Sequence, residues 1–305
     1  TDFDDWNDPF GSGQLNFTAW NKALFGLLDG AVITNLNIRN ANIAGTALIG
    51  GLAVRAKNST VSDVTVHGSV KSGDIENGGS AAALVVEAYD CRFTRCSADA
   101  NVFARSNSGV LIGRLEGLSV VDGCSASGKV TGCVNVGGLI GASVADGNSG
   151  KDNAPVVTNS TSAAIVTVIP GRNQGNNGGG FIGHNEGYIA CSGATGDVHV
   201  TVDCGAGFCD TNYGFIESCY ATGDVYNEEY GVTLSQFVTS NGIDVGYESH
   251  KGTIYNCFGV GALRAPEAPG DVVAAPTRLS RFAWGAFVSA GSAIVGCYYD
   301  STTTP

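Results

Sequence analysis

The residues that could do chemistry are a few acidic side chains at fixed positions. Asp197 and Asp224 each follow a glycine in two matching segments, 187–198 and 214–225, which align without a gap. Carboxylates on neighbouring units of a repeated fold could act as acid and base on a glycosidic bond. Asp after Gly is also an ordinary turn residue. We take the turn as the simpler interpretation and keep Asp197 and Asp224 as the alternative catalytic residues.

Other candidate sites carry weaker patterns. Asp146, Asn148 and Asp152 place oxygen ligands at short spacing, but their loop lacks the spacing and terminal Glu of a calcium hand. His184 and Glu186 could support acid–base chemistry, although neighbouring repeats have no second His, so a structural turn is the simpler interpretation. Neither a serine nucleophile motif nor a phosphate-binding loop is present in the sequence, and no cofactor is expected.

The ten cysteines divide into two groups. Five share one position of the repeat described below and are expected to point inward as small apolar residues: Cys96, Cys124, Cys219, Cys257 and Cys297. The other five do not share it: Cys91, Cys133, Cys191, Cys204 and Cys209. Cys204 and Cys209 are close in sequence and are the best disulfide candidates. No cysteine pair has zinc-site spacing, so a metal held by cysteines is not expected.

The elements that position these residues are nine copies of one template. The copies align on an anchor position that is always apolar or small: Leu36, Val64, Cys96, Cys124, Ser160, Ser192, Cys219, Cys257 and Cys297. An apolar residue stands three positions before each anchor: Ile33, Val61, Phe93, Val121, Val157, Ile189, Ile216, Ile254 and Ile294. Because such a unit cannot bury its apolar side alone, the copies must stack on one another.

A second element lies between successive anchors. It reads as two small residues, then Leu or Phe, then Ile or Val, and its large residues are Leu48, Leu84, Leu111, Leu139, Phe181, Phe208, Phe237 and Phe287. The short, alternating β-branched runs indicate strands, and no unit has ten residues at helical period free of Gly. The sequence therefore predicts an all-β, parallel β-helix of about nine coils stacked roughly 4.8 Å apart.

Part of this template resembles a known motif. The segment Gly180–Ile189, followed by Ala194–Gly196, is similar to the GLUG motif of bacterial secreted and cell-surface proteins. Those proteins include haemagglutinin-like adhesins and non-catalytic parts of some IgA-cleaving peptidases. Gly214–Val225 and Gly252–Cys257 resemble the motif as well. The resemblance implies a right-handed β-helix and an extracellular or cell-surface location. It brings no catalytic residue, because the family shares none.

The repeat favours one elongated domain. Residues 1–29 are predicted to cap the first coil, with Trp20 and Phe25 over Ile33 and Leu36, because a solenoid end exposes core and strand edges. The solenoid is expected to span 30–300, with an irregular insertion near 265–281, and 301–305 to begin a tail or linker. A chain that starts at Thr1 and lacks Met is expected to be a mature or excised portion.

Composition limits the possible partners. The net charge of −12 disfavours nucleic acid and anionic membrane surfaces, and no stretch is long enough for a transmembrane helix. Asn16, Asn58 and Asn159 are glycosylation candidates in a glycosylating host.

Two functions follow as hypotheses. The first is a non-enzymatic extracellular or cell-surface solenoid, acting in adhesion or as a structural or filament-forming component. Its partner would be a protein or glycan of a host or neighbouring cell surface, or another copy of itself. The alternative is a carbohydrate-active β-helix enzyme, a polysaccharide lyase or glycoside hydrolase, that uses Asp197 and Asp224.

Overall fold

The chain forms a parallel β-solenoid. The computed structural model describes residues 21–73, 79–146, 153–171, 175–227, 232–245, 248–266, 278–280, 282–283 and 292–299. Over these residues the protein is all-β, and its strands stack in about seven turns. Within the same residues there is no helix long and apolar enough to span a membrane.

The first half of the chain has simple turns with one strand on each of four faces, called faces I to IV in chain order. An incomplete first turn holds β1 (Phe25–Asp29), β2 (Val32–Thr34) and β3 (Asn37–Gly45) on faces II, III and IV. The next three turns are complete. They contain β4 (Ile49–Gly50), β5 (Ala53–Lys57), β6 (Thr60–Ser62) and β7 (Thr65–Ser72); β8 (Ala81–Ala82), β9 (Val85–Tyr89), β10 (Arg92–Thr94) and β11 (Ser97–Phe103); and β12 (Ser108–Gly109), β13 (Ile112–Glu116), β14 (Val120–Asp122) and β15 (Ser125–Gly132).

In the second half a bend divides face IV into two short strands per turn. Four turns are complete, and the first two contain β16 (Val136–Gly137), β17 (Ile140–Val144), β18 (Val156–Thr158), β19 (Thr161–Ser162) and β20 (Ile165–Val168), then β21 (Asn177–Gly179), β22 (Ile182–Asn185), β23 (Tyr188–Ala190), β24 (Gly193–Ala194) and β25 (Val198–Val200). The third contains β26 (Cys204–Ala206), β27 (Cys209–Asn212), β28 (Phe215–Glu217), β29 (Tyr220–Ala221) and β30 (Val225–Tyr226). The fourth contains β31 (Thr233–Ser235), β32 (Val238–Asn241), the hairpin β33 (Ile243–Val245) and β34 (Glu248–His250), β35 (Thr253–Tyr255), β36 (Phe258–Gly259) and β37 (Leu263–Arg264). An incomplete last turn contains β38 (Arg278–Ser280), β39 (Ala293–Val295) and β40 (Tyr298–Tyr299).

Strands of each face pair in parallel with the same face of the next turn. Face I begins with the two-stranded β4–β8 sheet and continues as a six-stranded sheet. Face II is a sheet of eight strands, face III a sheet of nine and face IV a sheet of thirteen. Only the β33–β34 hairpin, among the described strands, is antiparallel. Nine anchors were expected to give about nine coils, but the first and last turns each lack a described strand on one face, so about seven turns are complete.

Equivalent residues of successive turns form continuous interior columns. On face III, the apolar position three residues before the anchor stacks in register from Ile33 on β2 to Ile294 on β39. On face IV, Val70, Val102, Val130, Val166, Val198 and Val225 pair in the same way. The predicted stacking register of these two positions is therefore confirmed.

A third column contains the largest core residues, and the predicted register was wrong at both of its ends. Gly50 pairs with Ala82, which places Leu52 rather than Leu48 beside Leu84. At the other end the ring of Phe282 lies 4.8 Å from the ring of Phe237, in the place predicted for Phe287, a residue outside the described part of the chain. Four phenylalanine rings thus stack in the C-terminal turns, with centroid separations of 4.8–4.9 Å: Phe181, Phe208, Phe237 and Phe282.

Two predicted boundaries also differ from the structure. Residues 25–29 were assigned to the cap, but they form β1, which pairs with β5 from Phe25 onward and so belongs to the first turn. Residues 278–280 of the predicted insertion form β38, which pairs with β31. The remaining parts of these expectations, residues 1–20 with Trp20 and the tail 301–305, lie outside the described residues.

The bend between faces III and IV uses the same backbone conformation in each turn. The residue before every anchor has a positive φ of 51–64°: Asn35, Asp63, Arg95, Gly123, Asn159, Cys191, Ser218, Asn256 and Gly296. This left-handed conformation costs little for Gly, and Asn and Asp tolerate it better than other side chains. It turns the chain sharply enough to place two sheets on adjoining faces.

The anchor side chains satisfy the backbone at this bend. The N–H of Cys96 donates to Sγ of Cys124 one turn later (3.4 Å), and the N–H of Cys124 donates to Oγ of Ser160 (3.1 Å). The N–H of Cys219 donates to Sγ of Cys257 in the same way (3.3 Å). Because a buried N–H without an acceptor is costly, a small side chain with an acceptor atom suits this position. The cysteines were expected to act as small apolar residues, and they also act as hydrogen-bonding residues.

All ten thiols are unpaired in the structure, so Cys204 and Cys209 form no disulfide. The anchor cysteines Cys96, Cys124, Cys219 and Cys257 are buried, and Cys297 in the incomplete last turn is half-buried. Burial is not confined to the anchors, since Cys91, Cys133 and Cys209 are buried as well. The hydrogen bond with Cys219, together with burial, raises the pKa of Cys257 to about 12, which keeps this thiol protonated.

Replacing Cys257 separates the two roles of an anchor. Cys257→Val keeps an apolar side chain but removes the acceptor of the Cys219 N–H, which should cost about 1–3 kcal/mol of unfolding free energy. Cys257→Ser should cost less, because Ser160 and Ser192 fill the same position in other turns. Denaturant unfolding of both variants measures the difference. Equal losses in the two variants would show that the hydrogen bond contributes nothing.

Candidate functional site

A cluster of titratable side chains lies on the outer surface of face II. Strand pairing places Arg55, Glu87, Arg114 and His184 in one column, and Tyr89 and Glu116 in the column beside it. Alternation along the strands β5, β9, β13 and β22 turns these side chains away from the apolar interior. We call the following residues the face II cluster: Arg55, Glu87, Tyr89, Arg114, Glu116, Asp146, His184 and Glu186.

Ion pairs within the cluster join side chains of neighbouring turns and of a single strand. Nε of Arg55 lies 2.8 Å from Oε2 of Glu87 on the next turn. Arg114 forms an ion pair with Glu116 on its own strand. Each basic side chain of this column thus has a carboxylate beside it, which offsets part of the cost of removing these charges from water.

The chain that leaves β17 is fastened over this surface at two points. The hydroxyl of Tyr89, two turns away, donates to Oδ2 of Asp146 at 2.8 Å. The N–H of Ala145 donates to Oε2 of Glu186 at 3.0 Å, and Oε1 of Glu186 lies 2.9 Å from Nε2 of His184. Contacts on both sides of β17 therefore hold the start of this segment against face II.

Glu116 is the most perturbed residue of the cluster. Its side chain is only 3 % exposed, and its Oε2 has no hydrogen-bond partner among the described residues. Burial raises the pKa of Glu116 to about 7, an effect that Arg114 opposes and that Glu87 and Asp146 reinforce. The hydrogen bond to Asp146, with burial, raises the pKa of Tyr89 to about 12.

A carboxyl group with a pKa near 7 can donate or accept a proton at neutral pH. That chemistry requires contact with a substrate, and the carboxyl group of Glu116 is covered. Its direct consequence in this conformation is a pH-dependent contribution to stability. Glu116 was not singled out as a candidate site residue from the sequence. The longer spacing from Cys124 to Ser160 marks an insertion, but nothing in the sequence shows that its first residues lie close to Tyr89.

The predicted catalytic pair lies elsewhere, at the bend of face IV. Asp197 and Asp224 occupy equivalent positions on consecutive turns, as the alignment predicts. Oδ1 of Asp197 accepts the N–H of Asp224 (2.9 Å), and Oδ1 of Asp224 accepts the N–H of Ala262 (2.9 Å). Oδ2 of Asp224 also contacts Arg264 at 2.8 Å. These carboxylates therefore hold successive bends together.

The other predicted sites are also placed by the structure. Asp146 contacts Tyr89, whereas Asn148 and Asp152 of the proposed cation loop lie outside the described residues. Among the residues that are described, no group of three or more His, Cys, Asp or Glu is arranged to hold a metal ion. Of the glycosylation candidates, Asn58 and Asn159 are exposed at bends with φ of 49° and 51°, and Asn16 lies outside the described part.

A second surface feature was not singled out from the sequence. Tyr220, Phe258 and Tyr298 occupy paired positions on successive turns of face IV, and Tyr255 lies just before the bend on face III. We call these four residues the aromatic ridge. The rings of Tyr220 and Phe258 are 5.6 Å apart and inclined by 14°, and the exposed fraction rises to 41 % at Phe258 and 72 % at Tyr298. A Cβ at Gly193 would lie 2.1 Å from the ring of Tyr220, so glycine is required beneath the first ring.

No protein-family model and no curated protein matches this chain. The resemblance to GLUG repeats therefore stays a prediction from the motifs themselves.

Glu116→Gln should change how stability depends on pH. The folded pKa of about 7 exceeds the ordinary value of 4.5, so the wild type is most stable relative to the variant below pH 4.5. The wild type should lose about 3 kcal/mol of unfolding free energy relative to Glu116→Gln as pH rises from 4.5 through 7. Denaturation midpoints at several pH values measure this, with the exposed Asp99→Asn as control. A pH-independent difference between wild type and Glu116→Gln would contradict the assignment.

Asp224→Ala should loosen one bend without unfolding the rod. Loss of the acceptor for the Ala262 N–H should cost about 1 kcal/mol locally. Hydrogen exchange should therefore accelerate at Ala262, and Asp224→Asn, which keeps an amide oxygen there, should stay closer to wild type. Unchanged exchange in Asp224→Ala would show that this carboxylate does not hold the bend.

Proposed function

We propose that this protein is a non-enzymatic extracellular or cell-surface rod that binds a partner on another surface, in adhesion or as a structural component. The observation that carries the proposal is the aromatic ridge, a column of exposed rings on the C-terminal turns. Exposed aromatic side chains that lie together are typical of interaction surfaces, where Tyr is enriched. Most of the polar side chains considered for catalysis hold neighbouring turns or segments together instead.

The geometry of the ridge favours a protein partner over a glycan. The rings of Tyr220 and Phe258, 5.6 Å apart and inclined by 14°, partly cover each other's faces, which leaves ring edges at the surface of this pair. The C–H groups of a sugar pack best on the negative face of a ring, and the edges carry positive potential. Ring edges and the adjoining Tyr255 suit the carbonyl and apolar groups of a protein surface.

A carbohydrate-active enzyme is the alternative, now with a different candidate residue. Asp197 and Asp224 accept backbone N–H groups, which weakens their assignment as a catalytic pair. Glu116, with a pKa near 7, is the described residue best suited to proton transfer. Its buried carboxyl group would have to become accessible first, so this candidate ranks second.

Binding to cell surfaces tests the proposal. The double variant Phe258→Ser/Tyr298→Ser should lose most binding to intact bacterial or host cells, because it removes the two most exposed rings of the ridge column. Leu118→Ser is the matched control, since Leu118 is 60 % exposed but lies outside the ridge. Protease treatment of the cells should abolish binding, whereas periodate oxidation of their glycans should not.

Two outcomes would contradict this function. Equal binding by the ridge variant and the wild type would remove the ridge from the interaction. Release of reducing ends or unsaturated uronates from a polysaccharide panel, lost in Glu116→Gln, would establish the enzyme instead.

A further inference from the structure

The N-terminal end of the rod contains an apolar hollow of about 760 Å³. Its walls come from the incomplete first turn and the turn below it, and include Leu24, Leu27, Ile38, Ile43 and Val54. Leu27 pairs with Arg55 and so lies in the outer column of face II. At three of the other positions the matching residue one turn later is buried: Leu52 for Leu24, Val66 for Ile38 and Val70 for Ile43. The hollow therefore exposes the interior of the solenoid at this end.

The first member of the large-residue column shows how incomplete this end is. Phe25 pairs with Ala53 on the next turn. The residues just before them, Leu24 and Leu52, are therefore neighbours in the large-residue column. Leu24 is 57 % exposed, whereas Leu52 is fully buried. An apolar group from outside the described residues is needed to give Leu24 the surroundings that Leu52 has.

The chain before the hollow has the composition to fill it. Residues 1–20 lead directly into Asn21 and Lys22, which line the hollow. They carry six large apolar side chains: Phe3, Trp6, Phe10, Leu15, Phe17 and Trp20. They also carry four Asp and no Lys or Arg, whereas Lys22 brings a positive charge to the lining of the hollow; the other basic residue there, Arg55, is paired with Glu87. Opposite charge at the edge and apolar residues for the interior favour this segment over another occupant.

We propose that the hollow is an intramolecular docking site for residues 1–20, whose aromatic side chains cover Leu24 and the first turn. Docking at this end of the rod is independent of the function proposed for the aromatic ridge. A second copy could also stack here through its last turn, where Ile294 is 38 % exposed, but that contact would bring no acidic aromatic segment.

Site-specific cross-linking tests the occupant directly. A benzophenone amino acid in place of Ile43, which lines the hollow at an interior position, should cross-link to residues 1–20 within one molecule, as read by peptide mass spectrometry at the monomer mass. The control places the same group at Leu118, which is exposed but distant along the chain, and should give little of this product. Cross-links to the C-terminal turn of another molecule, or a yield no higher than at Leu118, would overturn the proposal.

A second measurement remains informative if the cross-linking variant folds poorly. Changing Phe17 and Trp20 to Ser should open the hollow and raise the fluorescence of anilinonaphthalene sulfonate several-fold. Deletion of residues 1–20 should have the same effect and cause concentration-dependent association in sedimentation, while leaving β1 in place. The proposal would be overturned if the intact chain already bound the dye as strongly as these variants. It would also be overturned if the truncated chain neither bound more dye than the intact chain nor associated.

Discussion

The structure depends on satisfying the backbone N–H groups where the chain bends. A solenoid made of short strands has bends in each turn. Around the bend between faces III and IV, the N–H groups before and after an anchor pair with carbonyls of neighbouring turns, as for Asp63 with Thr94 and Thr65 with Leu36, whereas several anchor N–H groups rely on a side chain. At the bend between faces III and IV, Sγ or Oγ of one anchor accepts the N–H of the anchor one turn earlier, as for Cys124 and Ser160. An unpaired buried N–H at every turn would cost more than a marginally stable fold can absorb.

The same requirement recurs around the turn with different side chains. Between faces II and III, the N–H of Cys91 donates to Oγ of Ser119 at 3.0 Å. In later turns buried amides take this role: Oδ1 of Asn185 accepts the N–H of Gly187, and Oδ1 of Asn212 accepts the N–H of Gly214. Nδ2 of Asn185 and Asn212 each donate to the next Asn at 2.8 Å, which links the turns. At the bend of face IV the acceptor is the carboxylate of Asp197 or Asp224. The cysteines, asparagines and aspartates that invite a catalytic interpretation thus mostly belong to the framework.

The sequence allows the columns of faces III and IV to be predicted because their repeat has few gaps and little ambiguity. The large-residue column was harder, since the Gly-rich segment around Gly50 offers Leu48 and Leu52 as two frames four residues apart. Hydrogen bonds between strands decide between these frames, and they are invisible in the sequence. The perturbation of Glu116 was also out of reach, because it depends on residues from several turns and on the path of the chain after β17. Predicted motifs located residues correctly, but the partners that define their roles are one turn away.

The hydrogen bonds between turns have a consequence for how such a chain could change in evolution. Several turns bring a side-chain acceptor for the anchor N–H of the turn before, and the strands of all four faces pair in the same register, so neighbouring turns meet through nearly equivalent surfaces. Duplicating or removing one whole turn would preserve most of these contacts, while a change of a few residues inside a strand would break several. Rod length can therefore vary in steps of a turn, and shorter changes are confined to the segments that leave the bends. The step from Leu139 to Phe181 in the core is one place where such an exchange would also have to match side-chain size.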